Sequence, residues 1–387
     1  MDFKLTKSQT LQQELFRKFA EEEIKPIAKD MDEEEVYSME LIEKLQKAGM
    51  FGIPYDRKYG GQGSDTLSYA LAMEEVSKVD ASTGITMSVH SSLCCTCINQ
   101  FGTEEQKDTY LRPLVDGSKI GCFGLTEPNA GTDAGGCQTV AVKEGDDYII
   151  TGTKIFTTNS GFADTCVVFA LTDKSKGARG LSAFIVDLRD KTGYTNNQPN
   201  ISVGENIERM GIRAASNCEV SYEDLRVPAS RMLGKEGQGF KIAMTALDAG
   251  RIGIGAQAVG IAQGAIDEAM KYVKERKQFG KTLNKFQNTQ FKLAECQTKV
   301  DAARLMVWRA ATAKDNHESY SHLAAMCKLY GSEVANDVTR ACVQMLGGYG
   351  YCREYPVERA MRDAKITEIY EGTSEAMKMV IAGALKI

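Results

Sequence analysis

Apolar and polar positions change their rhythm twice along the chain, and these changes divide it into three regions. From Thr6 to about Lys119 the rhythm is helical. Leu11, Leu15 and Phe19 recur every fourth residue beside the acidic run Glu21 to Glu23, which predicts one amphipathic helix. Ser38 stands as the cap of a second helix carrying Leu41, Leu45 and Met50. The break from Gly52 to Gly63 contains Gly-Gly-x-Gly but neither the Lys-Ser/Thr of a phosphate loop nor the strand-to-helix setting of a dinucleotide fingerprint, so it reads as a connector. Between about Cys122 and Pro228 the pattern turns to short β-rich runs, at Tyr148 to Ile150, Lys154 to Thr158, Cys166 to Ala170, Leu181 to Val186 and Cys218 to Tyr222. Turns such as Gly145 to Asp147 and Asn196 to Asn200 separate them, as in a small antiparallel sandwich or barrel.

After Gly239 only Pro356 interrupts, and the rhythm is helical again. From Phe240 to Arg276 small residues recur at Ala249, Gly250, Gly253, Gly255, Gly260 and Gly264. Each glycine costs about 1 kcal/mol of helix propensity, so the series demands a close approach by something else. Leu323, Met326, Tyr330, Val334, Val338, Ala341 and Met345 then form a stripe at three- and four-residue spacing that stops at Gly347-Gly348. The expected organisation is an N-terminal helical domain (1–121), a middle β domain (122–228) and a C-terminal helical domain (229–387).

Composition adds mainly exclusions. At 387 residues, 43% hydrophobic and 26% charged, the chain can bury a large core. Lys+Arg 47 against Asp+Glu 52 gives −5, which argues against a broad nucleic-acid footprint. The start, Met1 to Thr6, lacks the pattern of a secretory signal, and no apolar run is long enough to span a bilayer, so a cytoplasmic protein without membrane insertion is expected. Eleven cysteines, an odd number scattered from Cys94 to Cys352, form no disulfide framework and suit a reducing compartment. Cys94, Cys95 and Cys97 cluster, but with only His90, His317 and His322 in the chain they read as buried small hydrophobes, and no metal site is expected.

Candidate chemistry concentrates near the C-terminus, in Arg362-Asp-Ala-Lys-Ile-Thr-Glu-Ile-Tyr-Glu-Gly-Thr-Ser-Glu375. Glu371 precedes Gly372, which permits a tight turn and close approach to a ligand, and Thr373, Ser374 and the following amides can donate to phosphate-like oxygens. Taken alone, such an acid is more often a solvated turn residue. Asp248 and Arg251, three apart on one helix face, read alone as a plain surface ion pair. Arg276, read alone, fits a helix-end cation.

The order of further landmarks decides between these readings. Thr126-Glu-Pro-Asn-Ala-Gly-Thr-Asp133, Lys154-Ile-Phe-Thr-Thr-Asn159, Asp248-Ala-Gly-Arg251, Glu275-Arg-Lys-Gln-Phe-Gly280, Phe286-Gln287, Gln344-Met-Leu-Gly-Gly348 and Ile369-Tyr-Glu-Gly-Thr373 follow one another at family spacing. The chain thereby resembles the acyl-CoA dehydrogenase family from end to end, and its length and the run Ile366 to Glu375 look most like the short-chain, butyryl-CoA type. The resemblance implies an α+β fold with a middle β-sandwich or barrel and a C-terminal four-helix bundle. It also implies FAD as cofactor, a homotetramer, and electron exchange with electron-transferring flavoprotein. Glu371 matches the base that removes the α-proton of an acyl-CoA, with its own N–H and a flavin ribityl hydroxyl at the developing enolate oxygen. The place where some relatives carry their base is Gly250 here, which favours Glu371.

By the same resemblance Phe123, Leu125, Thr126, Thr132, Phe156 and Thr158 would wall the flavin. Phe156 stands where many relatives have tryptophan, keeping an apolar face but losing an indole N–H. Arg276, Gln278, Phe286, Gln287, Gln344, Gly347 and Gly348 would meet the FAD of a neighbouring subunit, with Thr373 and Glu375 completing the clamp. Thr132, Asp248, Arg251, Tyr370 and Gly372 would contact the acyl-CoA. The implied reaction is butyryl-CoA to crotonyl-CoA or its reverse. Reduction of another short, branched or aryl enoyl-CoA is the alternative, and a non-catalytic CoA-binding helical assembly is the rival of a different class. A glutaryl-type substrate is disfavoured, because Val79 to Thr86 contains no basic residue for a distal carboxylate.

Overall fold

The computed structural model describes residues 3–189 and 199–386, so most of the expected turn at Asn196 to Asn200 lies outside the described residues. The N-terminal helices are α1 (Lys7–Phe19), α2 (Ala28–Glu34), α3 (Met39–Lys47), α4 (Thr66–Ser77), α5 (Ala81–Ser88), α6 (Thr96–Phe101), α7 (Glu104–Gln106) and α8 (Arg112–Val115). Strands β1 (Gly121–Gly124), β2 (Val140–Glu144), β3 (Asp147–Thr158), β4 (Thr165–Leu171), β5 (Leu181–Asp187), β6 (Ile201–Val203), β7 (Asn217–Pro228) and β8 (Met232–Leu233) follow. The C-terminal region holds α9 (Gly239–Glu275), the short pair β9 (Lys277–Gln278) and β10 (Lys281–Thr282), then α10 (Gln287–Asp315), α11 (Ser321–Leu346), α12 (Val357–Ile366) and α13 (Ser374–Leu385). No helix among the described residues is long and apolar enough to cross a membrane.

The helical start is as its pattern predicts, with one correction. Ser38 accepts from Leu41 N at 3.3 Å and caps α3, whose Leu41 and Leu45 are buried, while Met50 is buried just beyond the helix. Leu11 and Leu15 of α1, however, face solvent, and Phe16 and Phe19 pack against the core instead. Cys94, Cys95 and Cys97 are fully buried. The Cys94 sulfur lies where a Cβ on Gly121 would come within 2.5 Å, so a small residue on each side lets the first strand seat against the helices. His90 fastens the same seam: Gly121 N donates to its Nδ1 at 3.0 Å, and its Nε2 donates to Leu114 O at 3.0 Å. Burial pushes His90 down to about 4, and only the neutral ring can make both bonds.

The predicted β runs are strands, but Tyr148 to Ile150 and Lys154 to Thr158 belong to one long strand, β3, with register shifts between Ile150 and Gly152 and between Lys154 and Thr157. The sheet order β6-β7-β3-β2-β4-β5-β8 makes two antiparallel blocks, which touch through the single parallel pair Val140–Leu171. The arrangement is not purely antiparallel as expected, because β1 also runs parallel to β4. Phe169, Phe184, Val167 and Tyr222 fill its interior.

Helix α9 explains its glycines. A Cβ on Gly253 would sit 2.7 Å from Tyr69 Oη, one on Gly260 2.3 Å from Glu74 O, and one on Gly264 2.1 Å from Lys78 O, so α4 and the turn after it lie directly on the bare α9 backbone. On another side, Gly255 faces Val307 of α10 and Cys327 of α11 at 3.1 and 3.2 Å. Arg304 of α10 adds an ion pair to the buried Glu74 of α4 at 2.9 Å, and Asp315 accepts from Thr66 N at 2.9 Å. In α11 the deepest face is Ala324, Cys327, Gly331, Ala335, Val338 and Cys342; Met326, Tyr330, Ala341 and Met345 of the predicted stripe are half-buried. Small residues won that face because α9 comes so close. Gly347, with φ of 62°, ends the helix as expected.

Gly264→Val places a branched side chain against Lys78 O and is expected to cost about 1–3 kcal/mol. Urea unfolding should show a lower midpoint at unchanged slope. An unchanged midpoint would mean that the α4–α9 contact is not tightly packed in solution.

Candidate functional site

Between α12 and α13 the chain makes a turn in which Glu371 has φ 52° and Gly372 φ 106°. The conformation natural for Gly372 costs Glu371 about 1–3 kcal/mol. It aims the carboxylate inward onto α9, at a point where that helix has no Cβ: a Cβ on Gly250 would lie 2.0 Å from Glu371 Oε2. Both carboxylate oxygens are buried without a hydrogen-bond partner in the chain. Burial pushes the carboxyl up to about 8, against the opposing pull of Lys328 and Arg251. Glu371 is therefore no solvated turn acid.

The surroundings fix this turn. Lys328 Nζ donates to Gly372 O at 2.6 Å, and Arg251 approaches Glu371 O at 3.5 Å while donating to Asp248 at 2.6 Å. Arg251 is buried, so its pair with Asp248 is not a surface ion pair. Tyr370 donates to Gln257, whose amide in turn donates to Ala81 O at 2.9 Å, tying the turn through α9 to α5. Leu93 and Tyr69 stand near the same stretch of α9. Thr373 spends its hydroxyl as the cap of α13, accepting from Ala376 N at 3.3 Å, and Glu375 is exposed in that helix's first turn.

The expected flavin-wall residues lie on β1, the loop after it and β3, and a second buried carboxylate holds that loop to β3. Glu127 accepts from Lys154 Nζ at 2.7 Å, from the amides of Gln138 at 2.6 Å and Thr139 at 3.0 Å, and from the Cys137 thiol at 2.9 Å. Burial pushes this carboxyl up, but Lys154, Cys137 and Thr139 outweigh that and hold it at about 2. Lys154 also donates to Leu125 O at 3.2 Å, and Ile155 N donates to Thr126 O at 2.9 Å, so the loop after β1 is clamped onto β3. Phe123 packs at a tilt against Phe169, with ring centroids 5.0 Å apart, and Thr158 is buried. Thr132 is exposed. Phe156 departs from an ordinary strand residue: it is 56% exposed, at the β3 register shift, with φ 56°.

A third cluster lies at the end of α9. Arg276, Gln278, Gln344, Gly347 and Gly348 line one cavity of about 480 Å³ together with Tyr272 and Tyr349. The Arg276 guanidinium stacks 5.3 Å from the Tyr349 ring. Phe286 and Gln287 start α10 nearby without lining the cavity, and Lys281 sits 4.2 Å over the Phe286 ring. The cavity shares no lining residue with the Glu371 turn or the Glu127 loop, so this single chain does not unite the three clusters. Sequence reasoning did not single out Glu127, Lys154, Lys328 or Gln257. A lysine inside an apolar strand or a small-residue helix face was the available signal.

Family models for the N-terminal, middle and C-terminal domains of acyl-CoA dehydrogenases match residues 6–118, 122–225 and 237–386. The chain belongs to the acyl-CoA dehydrogenase family. It is thus an FAD-dependent oxidoreductase of that family. The short-chain specific acyl-CoA dehydrogenase of Clostridium acetobutylicum is 54% identical over 385 residues, covering 100% of both chains. The structure of butyryl-CoA dehydrogenase from Megasphaera elsdenii superposes with a TM-score of 0.96 at 49% identity, over 100% of each chain. A chain from a structure described as electron transferring flavoprotein of Acidaminococcus fermentans also reaches 0.96, at 50% identity over 100% of this chain and 99% of that one.

Lys154→Met leaves the Glu127 carboxylate buried without its cation and is expected to cost about 3–5 kcal/mol. Because Glu127 is held below its ordinary range, its contribution is present above that range and is lost as pH falls toward 2. The variant should therefore begin acid unfolding at a higher pH than the parent when followed by circular dichroism. Glu127→Gln combined with Lys154→Met should recover part of the loss; no recovery would show that the pair does not act as a unit.

Proposed function

We propose that this acyl-CoA dehydrogenase interconverts short acyl-CoA thioesters and their 2-enoyl-CoA counterparts, butyryl-CoA and crotonyl-CoA being the reference pair, with Glu371 as the base. The observation that carries the reading is the Glu371 carboxylate, buried, unpartnered and facing the missing side chain of Gly250. A structural acid in that position would have hydrogen bonds. In dehydrogenation Glu371 takes the α-proton while a hydride leaves the β-carbon and the C–C bond becomes double. FAD, when bound, supplies the acceptor for that hydride. The residues present fit it: Phe156 offers an exposed ring, Arg276 suits a pyrophosphate through its planar fork, and the Cβ positions of Gly347 and Gly348 face open space. Thr126, Thr158, Phe123, Leu125 and Thr132 would flank the flavin; Gln278, Phe286, Gln287, Gln344, Thr373 and Glu375 would hold its remainder. Asp248, Arg251, Tyr370 and Gly372 would orient the thioester.

The short-chain assignment is supported by the names of the Clostridium and Megasphaera relatives. Electron exchange with an electron-transferring flavoprotein is supported by the Acidaminococcus structure. The reductive direction has a physical argument of its own: burial pushes the Glu371 carboxyl up to about 8, so its protonated form is accessible near neutral pH and can return a proton to the α-carbon.

The test is Glu371→Gln, which keeps volume but cannot accept a proton. Flavin reduction by butyryl-CoA in anaerobic rapid mixing should fall by about 10²–10⁴-fold with acyl-CoA binding retained; an undiminished rate removes Glu371 from the mechanism. In the parent, the reduction rate at saturating substrate should rise with pH, because only the carboxylate form accepts the proton. Arg276→Ala should release FAD and weaken a homotetramer together, read by flavin absorbance and light scattering. Stoichiometric FAD in a monomeric variant would refute the shared-site model.

A further inference from the structure

Helix α11 carries Lys328, Ser332 and Asn336 one turn apart on a single face, and each donates to a main-chain carbonyl of the segment that leads to Glu371. Asn336 Nδ2 donates to Ala364 O at 3.0 Å, Ser332 Oγ to Thr367 O at 2.8 Å and Lys328 Nζ to Gly372 O at 2.6 Å. The first two rungs meet α12 where its own hydrogen-bond ladder runs out. The third holds the carbonyl of the glycine next to the base. Lys328 and Ser332 are both fully buried, on the side of α11 that otherwise carries Ala324, Cys327, Gly331 and Ala335.

An apolar side chain would fill that space without desolvating an ammonium or freezing a long side chain. A neutral donor would suffice to hold one carbonyl. The charge therefore needs another reason, and Glu371 supplies it. Burial pushes the ammonium down to about 8 while the attraction of Glu371 works the other way. The other charged or titratable groups around the pair are Arg251 with Asp248 on α9, Tyr69 on α4, Tyr370 in the turn, Glu368 after α12 and Glu375 on α13. We propose that Lys328 is the positioning residue of the base: through Gly372 O it fixes the strained turn, and it places a positive charge beside a carboxylate that has no hydrogen bond in the chain. The ladder of Ser332 and Asn336 sets the same turn from behind without contributing charge. This inference rests on the reading of Glu371 as the base.

The experiment follows exchange of the α-protons of acetyl-CoA in heavy water by mass spectrometry, with the FAD-loaded enzyme across pH. Acetyl-CoA has no β-carbon, so exchange reports the base without any hydride transfer. Glu371→Gln should abolish enzyme-dependent exchange; if it does not, the base assignment itself fails. Lys328→Met should lower the plateau rate and move the exchange midpoint up by about one to three pH units, the effect of losing one opposite charge near a carboxylate. Lys328→Arg, which keeps the charge, should leave the midpoint near that of the parent. A Lys328→Met profile that coincides with the parent's, while Glu371→Gln is dead, overturns the role of Lys328 alone. Should Lys328→Met fail to fold, Ser332→Ala carries the test: slower exchange at an unmoved midpoint supports the clamp, and parental exchange overturns it.

Discussion

The backbone of α9 is approached at van der Waals distance from several sides, and the architecture follows from the absence of Cβ atoms at those crossings. α4 and the turn after it lie on Gly253, Gly260 and Gly264, α10 and α11 lie on Gly255, and the Glu371 carboxylate occupies the space above Gly250. At about 1 kcal/mol each, these glycines give up several kcal/mol of helix propensity. The return is contact: Ala243, Ala246, Ile252, Ile254, Ala258, Val259 and Ile261 are all almost fully buried around them. Because one helix is shared by the N-terminal helices, the C-terminal helices and the Glu371 turn, its register fixes where Glu371 stands relative to Asp248 and Arg251.

Two buried carboxylates in this chain have opposite fates, and their partners decide which. Glu127 is surrounded by donors, from Lys154, Cys137 and two amides, and is held ionised. Glu371 has none, and only the fields of Lys328 and Arg251 oppose its desolvation. The first arrangement is structural, closing the loop from Leu125 to Thr139. The second leaves a carboxyl with unmet hydrogen-bonding capacity, which stability alone would not retain and which suits the proposed proton transfer. Both lie on residues flanked by recognisable motifs, yet only the arrangement of donors tells them apart.

That contrast defines what was legible in the sequence. The switches of period, the cap at Ser38, the stop at Gly347 and the glycines of α9 are local signals, and local signals translate directly into elements. Glu371 was legible through Gly372 and the ordered landmarks around it. Leu11 and Leu15 misled because helical spacing identifies a face without saying what covers it. The α11 stripe marked the buried side, with Leu323, Val334 and Val338 in the core, but missed its deepest face, because periodicity weighs large side chains above small ones whereas close helix packing selects Ala324, Gly331 and Ala335. Lys154 and Lys328 were missed for a related reason: a buried lysine is expected only where an acid or a carbonyl meets it, and Glu127 and Gly372 lie 27 and 44 residues away along the chain.

Non-glycine residues in the left-handed region complete the physical picture. Phe156, Asn159, Ile212 and Glu371 have φ of 56°, 74°, 46° and 52°, each at a cost of about 1–3 kcal/mol. Each is held from outside its own segment. Asn159 donates to Thr86 O at 3.0 Å and Gly121 O at 3.2 Å, fixing the end of β3 to the N-terminal helices. Ile212 N donates to the buried Asp363 at 2.6 Å, and Arg362 beside it pairs with Asp32 at 2.7 Å, so the middle domain, α12 and α2 meet at one knot. Phe156 follows Ile155, whose N–H donates to Thr126 O of the loop after β1 at 2.9 Å, and Glu371 is set by Lys328. Each of these four is thus anchored from a different part of the chain. Glu371 and the exposed aromatic ring keep their conformations because the assembled domains hold them there, which makes the geometry of the candidate site a property of the whole fold.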